Sequence, residues 1–271
     1  MKPDFRTKNH ILTPPDCSLH PGAFCLPETE HVTIGGAPAW MRGIRALFVS
    51  DVHLRPNVSD AKLDALIGII RSARADLLLL GGDYAESDAD CARFFRALST
   101  CDFPLGAYAA PGNNDPQDTE VLADMMAPAG VILLKNRCAQ IHLKGNRLEI
   151  AGCDDHKYGF PRTEGLFSDR AGYRILLSHF PARPDCACDL MLSGHTHAGQ
   201  LNLLGLTPYS IGFERRFRHL AIRGLHRFGG MRLLVGNGVG VSRLPLRIGA
   251  SPRIYLLEFD SCAAHQNPEH F

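Results

Sequence analysis

The chain has 271 residues, enough for one large α/β domain or two small ones. Its 45% hydrophobic and 21% charged residues are a globular composition, and a net charge of +1 excludes a bulk field for nucleic acid or an anionic membrane. No run of 18 apolar residues occurs, and the opening text MKPDFRTKNHILTPPDC lacks the apolar centre of a signal peptide.

Residues 1–40 are rich in Pro, His and Gly and read as an irregular lead-in, with a single domain over 41–271. Short apolar runs then predict buried strands at Ile44–Val49, Asp76–Leu80, Gly106–Ala110, Ile150–Ala151, Arg174–Leu177, Leu190–Leu192, Leu233–Val235 and Ile254–Phe259. Helical patterns fall between the early ones, at Asp60–Arg71, Asp88–Leu98 and Pro116–Met126. Within the last of these, Asp115 and Pro116 read as N-cap and first helical residue, with Asp118 three residues on from the cap. Gly130–Ile150 reads as two or three consecutive antiparallel strands turning at Lys144–Arg147. The pattern predicts an α/β fold with a mixed sheet or two packed sheets. Nine scattered cysteines, with Cys186 and Cys188 the only close pair, fit a reduced, cytoplasmic protein and no zinc finger.

Five predicted strands run directly into polar residues: SDVH (Asp51, His53), GGD (Asp83), PGNN (Asn113), SHFP (His179) and SGHTH (His195, His197). Each motif alone is ordinary turn chemistry or a solvated side chain. Together they line the rim where open α/β sheets bind ligands. In an extended HxH segment, alternation would put both imidazoles on one side. Imidazole, carboxylate and amide donors without thiolate suit Mn²⁺, Fe or Zn²⁺ and are too rich in nitrogen for Mg²⁺ or Ca²⁺. Seven ligands exceed one transition ion, whereas two ions sharing a bridging carboxylate would use them all.

DVH, GGD, GNND, SHFP and GHTH, in this order, resemble the motif series of calcineurin-like metallophosphoesterases, over Phe48 to about Phe259. GHTHAGQ and GVGVSRLPLRIGASPRIYLLEF are similar to a bacterial branch of phosphodiesterases acting on lipid-linked or nucleotide phosphates. The resemblance implies a two-sheet mixed β-sandwich flanked by α-helices. It implies one ion on Asp51, His53, Asp83 and His197, and a second on Asp83, Asn113, His179 and His195. Asp83, Asn113 and His195 are the catalytic positions on this reading. Two divalent ions, Mn²⁺ first among them, would acidify a bridging water for attack on the phosphoester. The alternative is a catalytically weak member of the same fold that serves as a binding scaffold.

The family's usual His after the asparagine is Asn114 here, so a general-acid contribution of roughly 10²–10⁴-fold is missing or comes from elsewhere. His156 is one candidate, against the plainer reading of a surface histidine. Phe213–Arg232 carries six arginines against one acid, Glu214, with interleaved apolar residues. It reads as a cationic flap over the substrate, as a membrane contact, or as a solvated helix or loop. Asn114, His156, Arg215, Arg216 and Arg218 are the candidate substrate-binding residues. The expected partner is a phosphorylated small-molecule, nucleotide or lipid-linked substrate, with no specific nucleic-acid recognition, no transmembrane segment, and at most peripheral membrane contact.

Overall fold

Apolar side chains alternate on the central strands, and each face of each strand finds a different layer. Ala46 and Phe48 share a buried cluster with Leu77 and Leu79, and with Ile175, Leu177, Leu190 and Leu192 from later strands. Their neighbours Leu47, Val49, Leu78 and Leu80 join a second cluster with Leu63, Leu66, Phe94 and Phe95 of the helices. Each fully buried leucine contributes about 1.5–3 kcal/mol over an exposed one, so this sorting fixes the register.

The structure is a computed structural model that describes residues 8–10, 18–22, 24–168, 172–214 and 219–261. One sheet has the order β3 (Glu28–Ile34), β15 (Arg253–Phe259), β4 (Arg45–Val49), β5 (Leu77–Leu80), β6 (Ala107–Ala109) and β7 (Val131–Leu133). In it β4 to β7 run parallel, β15 is antiparallel to β4, and β3 is parallel to β15. The other sheet has the order β1 (Lys8–His10), β12 (Gly224–Phe228), β13 (Met231–Val235), β11 (Leu190–Ser193), β10 (Tyr173–Leu177), β9 (Asn146–Gly152) and β8 (Arg137–Leu143). Here β9, β10, β11 and β13 are parallel. A two-stranded ribbon pairs β2 (Leu19–Pro21) with β14 (Leu246–Ile248). The expected α/β architecture of two mixed sheets flanked by helices is the one observed.

Helices α1 (Asp60–Ser72), α2 (Asp88–Leu98) and α3 (Thr119–Met126) follow β4, β5 and β6. Ser59 and Ser87 cap the first two by accepting backbone N–H groups of Lys62 and Asp90. None of the described helices is long and apolar enough to cross a membrane.

Four expectations are corrected. The lead-in is not irregular throughout, since residues 28–34 form a full edge strand beside β15. The third helix starts later, with Asp118 as N-cap accepting from Glu120 and Val121, because Asp115 is spent elsewhere. In the middle segment β8 and β9 are the antiparallel hairpin, but β7 joins the other sheet parallel to β6. Finally, the arginine-rich segment from Gly224 to Arg232 belongs to the β12–β13 hairpin, so Arg227 and Arg232 belong to a sheet and not to a flap.

Candidate metal centre

The parallel strands β4, β5 and β6 of one sheet and β10 and β11 of the other all end at one rim. Leaving β4 and β5, the chain closes on itself: Asp51 N–H donates to Gly82 O at 2.9 Å and His53 N–H to Asp83 O at 3.0 Å. Asp51, His53, Asp83, His195 and His197 all have positive φ, between 44° and 68°. The left-handed region is costly for residues with a Cβ, on the order of 1–3 kcal/mol each, and such strain collects at working sites. The expected extended HxH is therefore wrong in detail, because His197 opens a tight turn with φ 50°. Both imidazoles still reach the same centre. Two glycines permit the approach of the loops: a Cβ at Gly112 would collide with Asp83 Oδ1, and one at Gly194 with Asp51 Oδ2.

Asp83 is the hub. Its Oδ2 lies 3.4 Å from His53 Nε2 and 3.4 Å from His179 Nε2. Asn114 holds the same carboxylate, its backbone N–H donating to Oδ1 and its amide to Oδ2, both at 2.8 Å. On one side His53 Nε2 and His197 Nε2 are 3.1 Å apart, with His197 Nε2 3.5 Å from Asp51 Oδ1. On the other, His195 Nδ1 is 3.3 Å from His179 Nε2. Burial disfavours the carboxylate of Asp83, but His179 and His53 outweigh it and hold its pKa far below the usual range. The same attraction raises the pKa of His179 against its own burial. Burial, the neighbouring His53 and the Arg247 guanidinium push the pKa of His197 well below the usual imidazole value.

Each imidazole is oriented from behind, as metal-ligating histidines are. His53 Nδ1 faces Glu86 Oε1 at 2.6 Å, His195 Nε2 faces Glu214 Oε2 at 2.6 Å, and His179 Nδ1 faces Gly81 O at 2.8 Å. The buried Arg247 donates to His197 Nδ1 at 3.1 Å and to the carbonyls of Asn237 and Ala250. Glu86, His53, His197 and Arg247 thus form one hydrogen-bonded chain, in which a cation between the two imidazoles would take the place of the His197 Nε2 proton.

Two buried oxygens show that the residues fit cations: Asp51 Oδ2 and Asn113 Oδ1 are enclosed with no hydrogen-bond partner among the described residues. Orphans of this kind are costly unless something else satisfies them. Two groups of potential ligands with atoms within 4.8 Å of one another are Asp51, His53, His197 and Asp51, Asp83, His179. A third, His195, Glu214 and His219, lies on the outer side of His195.

A cavity of about 470 Å³ opens over this centre, lined by Asp83, Asn113, Asn114, His195 and His197 together with Arg55, Lys157, Tyr209, Phe213 and Arg243. Asn114 thus lines the cavity. His156 is not a wall residue of this cavity. It is half-buried against Phe180, and burial pushes its pKa down to about 4, so it is neither a surface histidine nor a ready proton donor. Arg215, Arg216 and Arg218 lie outside the described residues. Sequence reasoning missed Glu86, Arg247 and Asp115. Glu214 carried one signal, being the single acid in an arginine-rich segment.

The calcineurin-like phosphoesterase family model matches residues 44–199, the span that holds all seven predicted ligands. The chain is 30% identical over 250 residues to the uncharacterized metallophosphoesterase YkuE of Bacillus subtilis (strain 168), covering 86% of each. It is 31% identical over 228 residues to the phosphodiesterase YaeI of Escherichia coli (strain K12), covering 79% of this chain and 81% of that one. A third relative is the transmembrane protein with metallophosphoesterase domain of Danio rerio, 29% identical over 246 residues, 80% of this chain and 53% of that protein. With the rim, its histidines and its carboxylates arranged as described, these matches make the chain a member of the calcineurin-like phosphoesterase family, a hydrolase acting on phosphoester bonds.

Proposed function

We propose that the protein is a dinuclear phosphodiesterase, with one cation held by Asp51, His53, Asp83 and His197 and the other by Asp83, Asn113, His179 and His195. The observation that supports it is the equal 3.4 Å separation of Asp83 Oδ2 from His53 Nε2 and His179 Nε2, one carboxylate oxygen facing both halves of the site. The mixed nitrogen and oxygen donors suit Mn²⁺, with Fe and Zn²⁺ as the other compatible ions. Bound there, two divalent cations supply charge neutralisation for the phosphoryl oxygens and lower the pKa of water.

The chain's own groups do the rest. Asn114 fixes the Asp83 carboxylate, while Glu86, Glu214 and the Gly81 carbonyl set the imidazole planes. Arg243 gives the cavity lining positive charge for a phosphoester, with Arg55 and Lys157 beside Glu86 and Glu214 at 3.6 and 4.0 Å, and Tyr209 and Phe213 give it an apolar face. No group at position 114 can protonate a leaving oxygen, which favours diesters, pyrophosphates and aryl esters whose leaving groups need no acid. The substrate class is a phosphorylated small molecule, nucleotide or lipid-linked phosphate. The seven described cysteines are all free, which supports a reducing, cytoplasmic setting.

The test is hydrolysis of bis(p-nitrophenyl) phosphate by protein purified with Mn²⁺, repeated with Asp83→Asn. Turnover by the wild type and its loss in the variant are expected. Equal turnover by the two proteins, or none with Mn²⁺, Fe²⁺ or Zn²⁺, defeats the reading.

A further inference from the structure

The segment 201–213 beside the cavity is built with its polarity inverted. Asn202 and Thr207 point inward and are buried, while Leu203, Leu204, Leu206 and Ile211 point outward with exposures of 60%, 90%, 69% and 88%. The arrangement is well held. Leu203 and Leu206 exchange both backbone hydrogen bonds at 2.9 Å, Asn202 N–H donates to Ile248 O at 2.8 Å, and the Asn202 side chain accepts from Gly205 N–H at 2.8 Å. Thr207 and Ser210 cap each other reciprocally. The aliphatic side chains are thus displayed by a fixed hairpin and the short helical turn, Pro208–Ile211, that follows it.

Leu204 sharpens the point. It and Gly205 are the two central residues of the turn, with φ 53° and 94°. A two-residue turn with both φ positive is the place for Asn-Gly. Leucine is a poor choice in the left-handed region, and its exposure means that no core selects it either. Turn chemistry and packing both leave this leucine unexplained, whereas a partner outside the chain explains it.

The base of the hairpin says what kind of partner. Leu201, Pro208, Tyr209, Phe213 and Leu244 line the cavity, so the apolar face runs from the tip into the site. The Arg243 guanidinium lies 5.8 Å over the Phe213 ring, and the Lys157 ammonium lies 5.2 Å over the exposed Tyr158 ring and 4.0 Å from Glu214 Oε1. Aliphatic residues at the tip with aromatic and cationic ones at the base match the depth profile of an anionic bilayer surface. We propose that the hairpin of Leu203, Leu204 and Leu206, with Ile211 on the helical turn that follows it, dips into such a surface and holds the cavity mouth against the phosphoester of a lipid headgroup. The docking stands on the hairpin alone, and only the fate of the headgroup rests on the phosphodiesterase reading.

Co-sedimentation of the full chain with phosphatidylcholine vesicles, with and without phosphatidylglycerol, tests it. Binding is expected, stronger with phosphatidylglycerol, and weakened about tenfold by Leu204→Asn or Ile211→Ser, the loss from withdrawing one large aliphatic side chain. Both variants should hydrolyse bis(p-nitrophenyl) phosphate at the wild-type rate, and Leu204→Asn should melt no lower than the wild type, since asparagine suits its backbone. Wild-type protein that stays in the supernatant with both vesicles overturns the proposal, as do variants that sediment like the wild type. A dimer in size-exclusion chromatography that Leu204→Asn dissolves, without vesicle binding, assigns the face to a second copy and also overturns it. Vesicle binding by a protein inert toward the diester would sustain the docking surface and defeat the phosphodiesterase reading instead.

Discussion

The Asp115 Oδ2 atom accepts the backbone N–H of Asp83 at 2.9 Å, so the loop after β6 carries the loop after β5. The same oxygen accepts from Gly112 N–H at 2.7 Å, and Oδ1 accepts from Tyr84 N–H at 2.8 Å. Burial and the nearby charge of Asp83 push the Asp115 pKa up, and these three donors pull against them. Asp115→Ala would leave three buried N–H groups without an acceptor. The expected cost is about 3–5 kcal/mol, or roughly 10 °C in Tm for a chain of this size. Denaturant titration checks it, and a variant within about 1 kcal/mol of the wild type would mean that the two loops stand independently.

Cations should stabilise the fold, because Asp51 Oδ2 and Asn113 Oδ1 have no other partner among the described residues. At a hundredfold excess over Kd the linkage is about 2.7 kcal/mol, which raises Tm by roughly 5–10 °C. Chelator should reverse the shift. Asp51→Asn and Asn113→Ala should each shrink it, measured by scanning calorimetry with and without Mn²⁺. A flat response in the wild type would remove the dinuclear assignment.

Glu86 and Glu214 touch histidines from opposite sides of the centre. Replacing either by glutamine keeps its shape and removes the charge that orients the imidazole. Metal affinity should fall by ~10–100-fold, the range for such outer partners, as read by titration calorimetry with Mn²⁺. Unaltered affinity in both would reduce these contacts to packing.

Leaving-group dependence follows from Asn114, whose amide is engaged with Asp83 Oδ2 and has no proton to give. Aryl diesters should turn over far faster than alkyl monophosphates. Installing an acid by Asn114→His should narrow the gap, within the roughly 10²–10⁴-fold that a positioned acid contributes. The readout is kcat/KM against a series of leaving-group pKa values. A slope near zero in the wild type would show that another proton donor is in place.

The residues that meet at the rim were legible because residue type and chain position agreed. His179 and His195 each follow an apolar run that could only be a buried strand, and the rim of such strands is where polar side chains become useful. What was hidden depends on contacts between distant segments. Asp115 reads as a helix cap in its own neighbourhood, and its three donors come partly from a loop some thirty residues earlier. Residues 28–34 have a half-exposed edge pattern without a continuous apolar run, so only pairing with β15 reveals the strand. The three residues of β7 cannot show which sheet they join. Spacing alone also could not tell that His195 and His197 reach the centre through left-handed backbone.

The five left-handed residues at the rim have an evolutionary corollary. Glycine or asparagine would relieve each backbone and leave the chain easier to fold, so selection for sturdiness alone would erase them. Descendants released from catalysis should drift toward those replacements at positions 51, 53, 83, 195 and 197 before their cores change at all. Among related genomes, that substitution pattern would mark lineages that kept the scaffold and abandoned the chemistry.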